Sequence, residues 1–117
     1  MGEKYFSEVP GFEKFFIEVA DAWTVKEMKA LADSDEDGYF DIFHAKVESM
    51  FLADVDGKEF TNPRELSRDD VENFDVAVAG FLGSILPIHV RKRRNLGGLN
   101  VRQSSLSKDG QNSPKSK

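Results

Sequence analysis

The sequence predicts one α+β domain that is mainly helical, in which an N-terminal β-hairpin packs on three to four helices. Strand-forming residues flank Pro10-Gly11 near the N-terminus, and apolar residues recur at helical spacing through the middle of the chain. The last residues are polar and lack any periodicity, which is typical of a disordered tail. With 117 residues, of which 39% are hydrophobic, the chain can form one core. We expect the globular domain in residues 1–98 and a disordered polar and basic tail in residues 99–117.

The predicted hairpin pairs residues 5–9 with residues 12–19. Pro10 sets φ for a turn and Gly11 permits a positive φ, so the two residues suit the connection. The strand pattern is not a clean alternation, because Phe15, Phe16 and Ile17 are consecutive. Both faces of the hairpin are therefore expected to be covered, one by the body of the domain and one by a partner.

Two helices are predicted after the hairpin. Thr24 and Glu27 form a capping box, which predicts a helix that ends near Ala32 and buries Met28 and Leu31. A second helix is predicted over residues 39–51, because five apolar residues fall at i, i+3, i+7, i+10 and i+11: Phe40, Phe43, Val47, Met50 and Phe51.

The C-terminal half begins with a tight turn at residues 54–58 and a single helical turn that Asn62 caps and Pro63 starts. A new helix is predicted from residue 67, with an apolar stripe formed by Val71, Phe74, Val78, Phe81, Leu82 and Ile85. The small residues of segment 80–83 are interpreted as close packing. Pro87 should kink or end this helix, residues 88–96 could continue it, and Gly97-Gly98 should stop it.

The acidic run of residues 33–44 resembles the start of an EF-hand calcium loop, with carboxylates at loop positions 1, 3, 5 and 9 and Gly38 at position 6. Position 12 is His44, which cannot supply two carboxylate oxygens, and no second loop is present. We interpret the run as an acidic connector between helices, in which Gly38 eases the turn. His44 is interpreted as a packing or surface residue.

Several classes of function find no support in the sequence. There is no cysteine, no run of about 20 apolar residues that could span a bilayer, and no nucleophile elbow or phosphate loop. The two histidines, His44 and His89, are far apart in the sequence. We therefore expect a cytoplasmic protein without catalytic residues, metal or cofactor, and no membrane partner.

The charge is divided along the chain. Residues 1–86 hold 8 Lys and Arg against 20 Asp and Glu, whereas residues 87–117 hold 8 Lys and Arg against one acid. Such a division can indicate nucleic acid binding by the basic end, through residues 91–94, or self-association of the two ends. The acidic body would repel a polyanion, which argues against nucleic acid.

The order of these features resembles a known family. A hairpin that contains Val9-Pro10-Gly11-Phe12 precedes Ala22-Trp23-Thr24-Val25-Lys26-Glu27-Met28. An acidic spacer, a helix, Asp56-Gly57 and Asn62-Pro63-Arg64-Glu65-Leu66 follow, and the last helix carries Phe81-Leu82-Gly83-Ser84. This layout, over residues 4–98, is similar to the small tail assembly chaperones of long-tailed bacteriophages and prophages.

The resemblance implies a non-enzymatic protein that coats and solubilises the tape measure protein and helps to recruit tail tube subunits. It would act in the host cytoplasm and be absent from the mature virion, often beside a longer form made by ribosomal frameshifting. The Phe-rich segments provide the candidate partner-binding residues: Phe12, Phe15, Phe16, Phe74, Val78, Phe81 and Ile85. The alternatives are an EF-hand-like calcium- or partner-binding module and a basic-tailed nucleic acid binder.

Overall fold

A four-stranded antiparallel sheet with the order β1-β2-β3-β4 forms the framework of the protein. The computed structural model describes the backbone of residues 2–104 and the side chains of residues 2–96. The strands are β1 (Gly2–Phe6), β2 (Phe16–Ala20), β3 (Val47–Ala53) and β4 (Glu59–Phe60). The α+β class is confirmed, although the sheet is larger than the predicted hairpin and the fold is only partly helix-dominated.

The N-terminal hairpin is present, but both strands lie farther from the turn than predicted, at residues 2–6 instead of 5–9 and at residues 16–20 instead of 12–19. β1 and β2 pair from Gly2 opposite Ala20 to Phe6 opposite Phe16. Residues 7–15 form a loop that is closed by a hydrogen bond of 2.9 Å from the Ser7 amide to the Phe15 carbonyl. Gly11 has φ of +90°, so the predicted role of this glycine in the turn is confirmed.

The helices are α1 (Val25–Ala32), α2 (Glu36–Lys46), α3 (Arg68–Val71) and α4 (Val76–Ser104), and a 3-10 turn covers Pro63–Glu65. The capping box at the start of α1 is confirmed, with Thr24 Oγ1 accepting from the Glu27 amide and Glu27 Oε1 accepting from the Thr24 amide. Leu31 is buried as expected, whereas Met28 is only half-buried.

The predicted helix over residues 39–51 is wrong in its second half. α2 ends at Lys46, and Val47 begins β3 without an intervening loop. Val47 pairs with Val19 and Ser49 pairs with Glu18, so Glu48 is an extra residue that forms a β-bulge. The bulge puts Val47 and Met50 on the same buried side at a spacing of three, which the sequence pattern alone cannot distinguish from a helix.

The predicted helix from residue 67 is interrupted. α3 ends at Val71, and the chain turns through residues 72–75 before α4 begins at Val76. Asp75 Oδ1 accepts a hydrogen bond from the Ala77 amide, as a helix-capping carboxylate does. Phe74 therefore lies between the helices, where its ring packs against Phe60 with a centroid distance of 5.5 Å.

α4 continues through Pro87, which removes one backbone donor from a helix of 29 residues, and it passes the predicted stop at Gly97-Gly98. Residues 105–117 of the predicted tail lie outside the described residues. The chain divides into two units, Met1–Pro87 and Ile88–Lys117. Among the described residues, no helix is long and apolar enough to cross a membrane.

Candidate partner-binding surface

The two faces of the sheet differ in their exposure. On the inner face Ile17, Val19 and Leu52 are fully buried and Met50 is 2% exposed, so this face forms part of the core. On the outer face Phe16 and Glu18 are only half-buried. An antiparallel sheet with one covered face usually presents polar side chains on the other. Here the open face carries aromatic residues.

Three phenylalanines form a row across the outer face. The strand register places Phe6 opposite Phe16 and Phe16 opposite Phe51, so the row crosses β1, β2 and β3. The ring centroids of Phe6 and Phe16 are 5.7 Å apart, which is a favourable aromatic contact. Phe6 is 57% exposed, and Phe51 is half-buried. We call Phe6, Phe16 and Phe51 the outer-face aromatic row.

A polar row lies directly beside the aromatic one. Lys4 is opposite Glu18, and Glu18 is opposite Ser49. Ser49 Oγ donates to Glu18 Oε1 at 2.7 Å, and Lys4 Nζ lies 4.6 Å from the centre of the Phe16 ring. The outer face therefore has an apolar strip with a charged and polar border, which matches the pattern of an amphipathic ligand.

The hairpin loop supports one end of the aromatic row. Phe15 is 5% exposed and meets Phe51 edge-on with a centroid distance of 5.5 Å. Phe12 is half-buried, and its ring centroid lies 5.3 Å from that of Phe15. Phe15 thus supports Phe51 as a buried neighbour, while Phe12 adds partly accessible aromatic surface near the row.

The predicted partner-binding set separates into two groups. Four of its members are buried and belong to the core: Phe15, Phe74, Val78 and Ile85. Phe12, Phe16 and Phe81 are half-buried, but Phe81 lies on α4 and not on the sheet. Sequence reasoning missed Phe6 and Phe51. The predicted turn at Pro10-Gly11 pairs Phe6 with Phe15 rather than with Phe16, and the helical spacing of residues 39–51 places Phe51 in a predicted helix.

The acidic run of residues 33–44 forms mostly helix, which corrects the expected connector. Asp35 caps α2 by accepting a hydrogen bond of 2.8 Å from the Gly38 amide, so Gly38 lies inside the helix rather than in a turn. His44 Nε2 is 2.7 Å from the Leu66 carbonyl and must donate to it, because a carbonyl can only accept. In the described part of the chain, no group of three or more His, Asp or Glu side chains could hold a metal ion.

The Trp23-Thr24 signature has a structural role. Trp23 Nε1 donates to the Ala20 carbonyl at 3.1 Å, and Lys46 Nζ lies 5.1 Å from the centre of the Trp23 ring. Lys46 also forms an ion pair of 2.9 Å with Glu27. The hydrogen bond from the Thr24 backbone, together with Lys46, lowers the pKa of Glu27. These contacts join the end of α2 to the start of α1.

Comparison with protein-family models, with curated proteins and with solved structures finds no match to this chain. The outer-face aromatic row is therefore the structural feature that best indicates a function.

Proposed function

We propose that the protein is a non-enzymatic tail assembly chaperone of a long-tailed phage, which binds and solubilises the tape measure protein and helps to recruit tail tube subunits. It would act in the host cytoplasm and be absent from the mature virion. The observation that supports this function best is the outer-face aromatic row, an apolar strip on the open side of an otherwise ordinary sheet. Exposed apolar strips with polar borders are typical of protein-binding surfaces.

The dimensions of the row suit a helix. Three neighbouring strands, each separated by about 4.8 Å, make the row roughly 10 Å long. This length is close to two turns of an α-helix, which rises about 5.4 Å per turn. A helical partner can lay its apolar stripe on the phenylalanines, while its flanking polar residues meet Lys4 and Glu18.

The charge of the domain fits the role of a solubilising coat. The first 86 residues carry a net charge of −12. Long helical proteins coated with such domains would repel one another, and this repulsion opposes aggregation. The aromatic row would cover apolar surface on the partner, and the acidic remainder would face the solvent.

Co-expression with the tape measure protein from the same genome tests this function. The unmutated protein should move the tape measure protein from the pellet to the supernatant and co-elute with it in gel filtration. Phe6→Asp should abolish both effects, because it places a charge in the apolar strip. Val76→Asp is the matched control, since Val76 is an exposed apolar residue at the start of α4 and is not part of the sheet. An insoluble tape measure protein with the unmutated chain, or equal loss with both variants, would overturn the proposal.

A further inference from the structure

A groove of about 600 Å³ lies between the start of α2, the end of α3 and α4, all within the unit Met1–Pro87. Its apolar lining includes Phe40, Val71, Leu82 and Gly83, and Asp35 and Glu36 border it. The groove is formed by helices and is separate from the outer-face aromatic row.

The Tyr39 hydroxyl in the groove already has a hydrogen-bond partner. Tyr39 lines it, and the Tyr39 hydroxyl already donates to the Leu82 carbonyl at 2.7 Å. A Cβ added at Gly83 would have no neighbour within 4 Å, so this side of α4 is open. The close packing expected for residues 80–83 is therefore wrong at Gly80 and Gly83. A bare helix surface of this kind allows another helix to approach closely.

The segments that form part of the groove are rich in acidic residues. Residues 33–37 and 68–75 together contain eight carboxylates and one cation, Arg68, and two of these carboxylates, Asp35 and Glu36, line the groove. Arg68 is already paired with Glu36 at 2.8 Å and with Asp37 at 3.1 Å. The remaining carboxylates favour an occupant that combines apolar side chains with several positive charges.

The chain itself contains a helical segment of this chemistry. Residues 88–96 belong to α4, in which His89 and Val90 are buried, whereas two apolar side chains are solvent-exposed, Ile88 at 41% and Leu96 at 49%. Between them are four exposed cations, Arg91, Lys92, Arg93 and Arg94. The segment is thus a short cationic helix with exposed apolar residues.

We propose that the groove of one molecule binds residues 88–96 of a second molecule. Each copy offers one groove and one segment, so the contact joins different surfaces and can repeat from copy to copy. This head-to-tail association depends on neither a tape measure protein nor the outer-face aromatic row, and it stands whether or not the proposed function is correct.

Sedimentation velocity of the full chain at increasing concentration tests the association. The unmutated protein should form species larger than a monomer, and the association should weaken several-fold when salt rises from about 0.1 M to about 1 M, as the screening length falls from about 10 Å to about 3 Å. Gly83→Gln should leave a monomer, because the new side chain fills the groove. Gly80→Gln is the matched control: Gly80 is also an exposed, unhindered helical glycine, but it does not line the groove.

A mixing experiment establishes the direction of the contact. Gly83→Gln retains the cationic segment, and the double variant Arg93→Glu/Arg94→Glu retains the groove. Each should be monomeric alone, and together they should form a 1:1 complex that cannot grow further. A monomeric unmutated protein at all concentrations, equal association of the two glycine variants, or no complex in the mixture would each overturn the proposal.

Discussion

Asn73 Nδ2 donates a hydrogen bond of 3.2 Å to Asp54 Oδ2, and the same amide donates to Asp56 Oδ2 at 2.8 Å. The Val55 amide donates in return to the Asn73 carbonyl at 3.0 Å. These bonds join the turn between β3 and β4 to the segment between α3 and α4. Partial burial would raise the pKa of Asp54, but hydrogen bonds from the Lys58 backbone and the Asn73 side chain outweigh it and lower that pKa.

Asn73→Asp should lower the melting temperature by several degrees at pH 7. The substitution keeps the shape of the side chain but replaces the donor with a third carboxylate beside Asp54 and Asp56. Repulsion raises the pKa of the new group in the folded state, so the loss is present at neutral pH and shrinks as the pH falls toward about 4. Thermal melts at both pH values measure the effect. Asn62→Asp is the control, because Asp caps the 3-10 turn as well as Asn does. An equal loss in the two variants would contradict the repulsion.

Tyr39→Phe should change stability differently at neutral and alkaline pH. At pH 7 it should cost about 1 kcal/mol, the typical net contribution of one hydrogen bond. Burial raises the pKa of Tyr39 above its ordinary value of about 10. Ionisation therefore favours the unfolded chain above pH 10, by up to about 1.4 kcal/mol per pH unit, and the variant lacks this loss. Urea unfolding between pH 7 and 11 should show the difference between the variant and the unmutated protein narrowing and then reversing. Parallel curves would be inconsistent with a buried hydroxyl.

Phe15→Ala and Phe6→Ala should differ in their cost to stability, because Phe15 is a buried neighbour of the aromatic row and Phe6 is an exposed member of it. Phe15 is 5% exposed, so its truncation should cost about 3–5 kcal/mol. Phe6 is 57% exposed, and its truncation should cost about 1 kcal/mol or less. Chemical denaturation of the two variants gives both values directly. Similar costs would mean that the aromatic row is part of the core.

Gly80→Ala should stabilise the protein by about 0.5–1 kcal/mol. Gly80 is an exposed residue inside α4, and an added Cβ would have no neighbour within 4 Å. Gly57→Ala should destabilise the protein, since Gly57 has φ of +87° in the turn after β3. The two melting temperatures should therefore move in opposite directions, and a shift in the same direction would contradict the backbone conformations.

Local signals in the sequence predicted the local structure well. The capping box of Thr24 and Glu27, the turn at Gly57 and the cap of Asn62 all depend on residues within four positions of each other. Each of these motifs satisfies backbone donors or sets φ without help from distant residues. This is the reason why the sequence alone is sufficient for them.

The features that could not be predicted from the sequence depend on contacts between residues that are far apart in the chain. β3 forms because Val47 pairs with Val19. The bulge at Glu48 interrupts the alternation of buried and exposed residues in β3, so its buried residues have a spacing that is also typical of a helix. Because this segment is predicted to be a helix, Phe51 is absent from the predicted partner-binding residues. At the break before α4, Phe74 packs against Phe60, a residue of β4 that the local sequence does not indicate as its neighbour. Two of the five candidate phenylalanines, Phe15 and Phe74, are therefore core residues, because burial is decided by tertiary packing and not by residue type.

The order of the strands has a consequence for how quickly the sheet can form. Every strand pairs with the strand before or after it along the chain. The largest closure, between β2 and β3, spans only the segment that contains α1 and α2. Pairing between consecutive strands limits the length of chain that must be closed at each step, and shorter closures favour faster folding. All strand pairing can be complete once Phe60 has left the ribosome, and it does not require α4, which follows Phe60 in the chain.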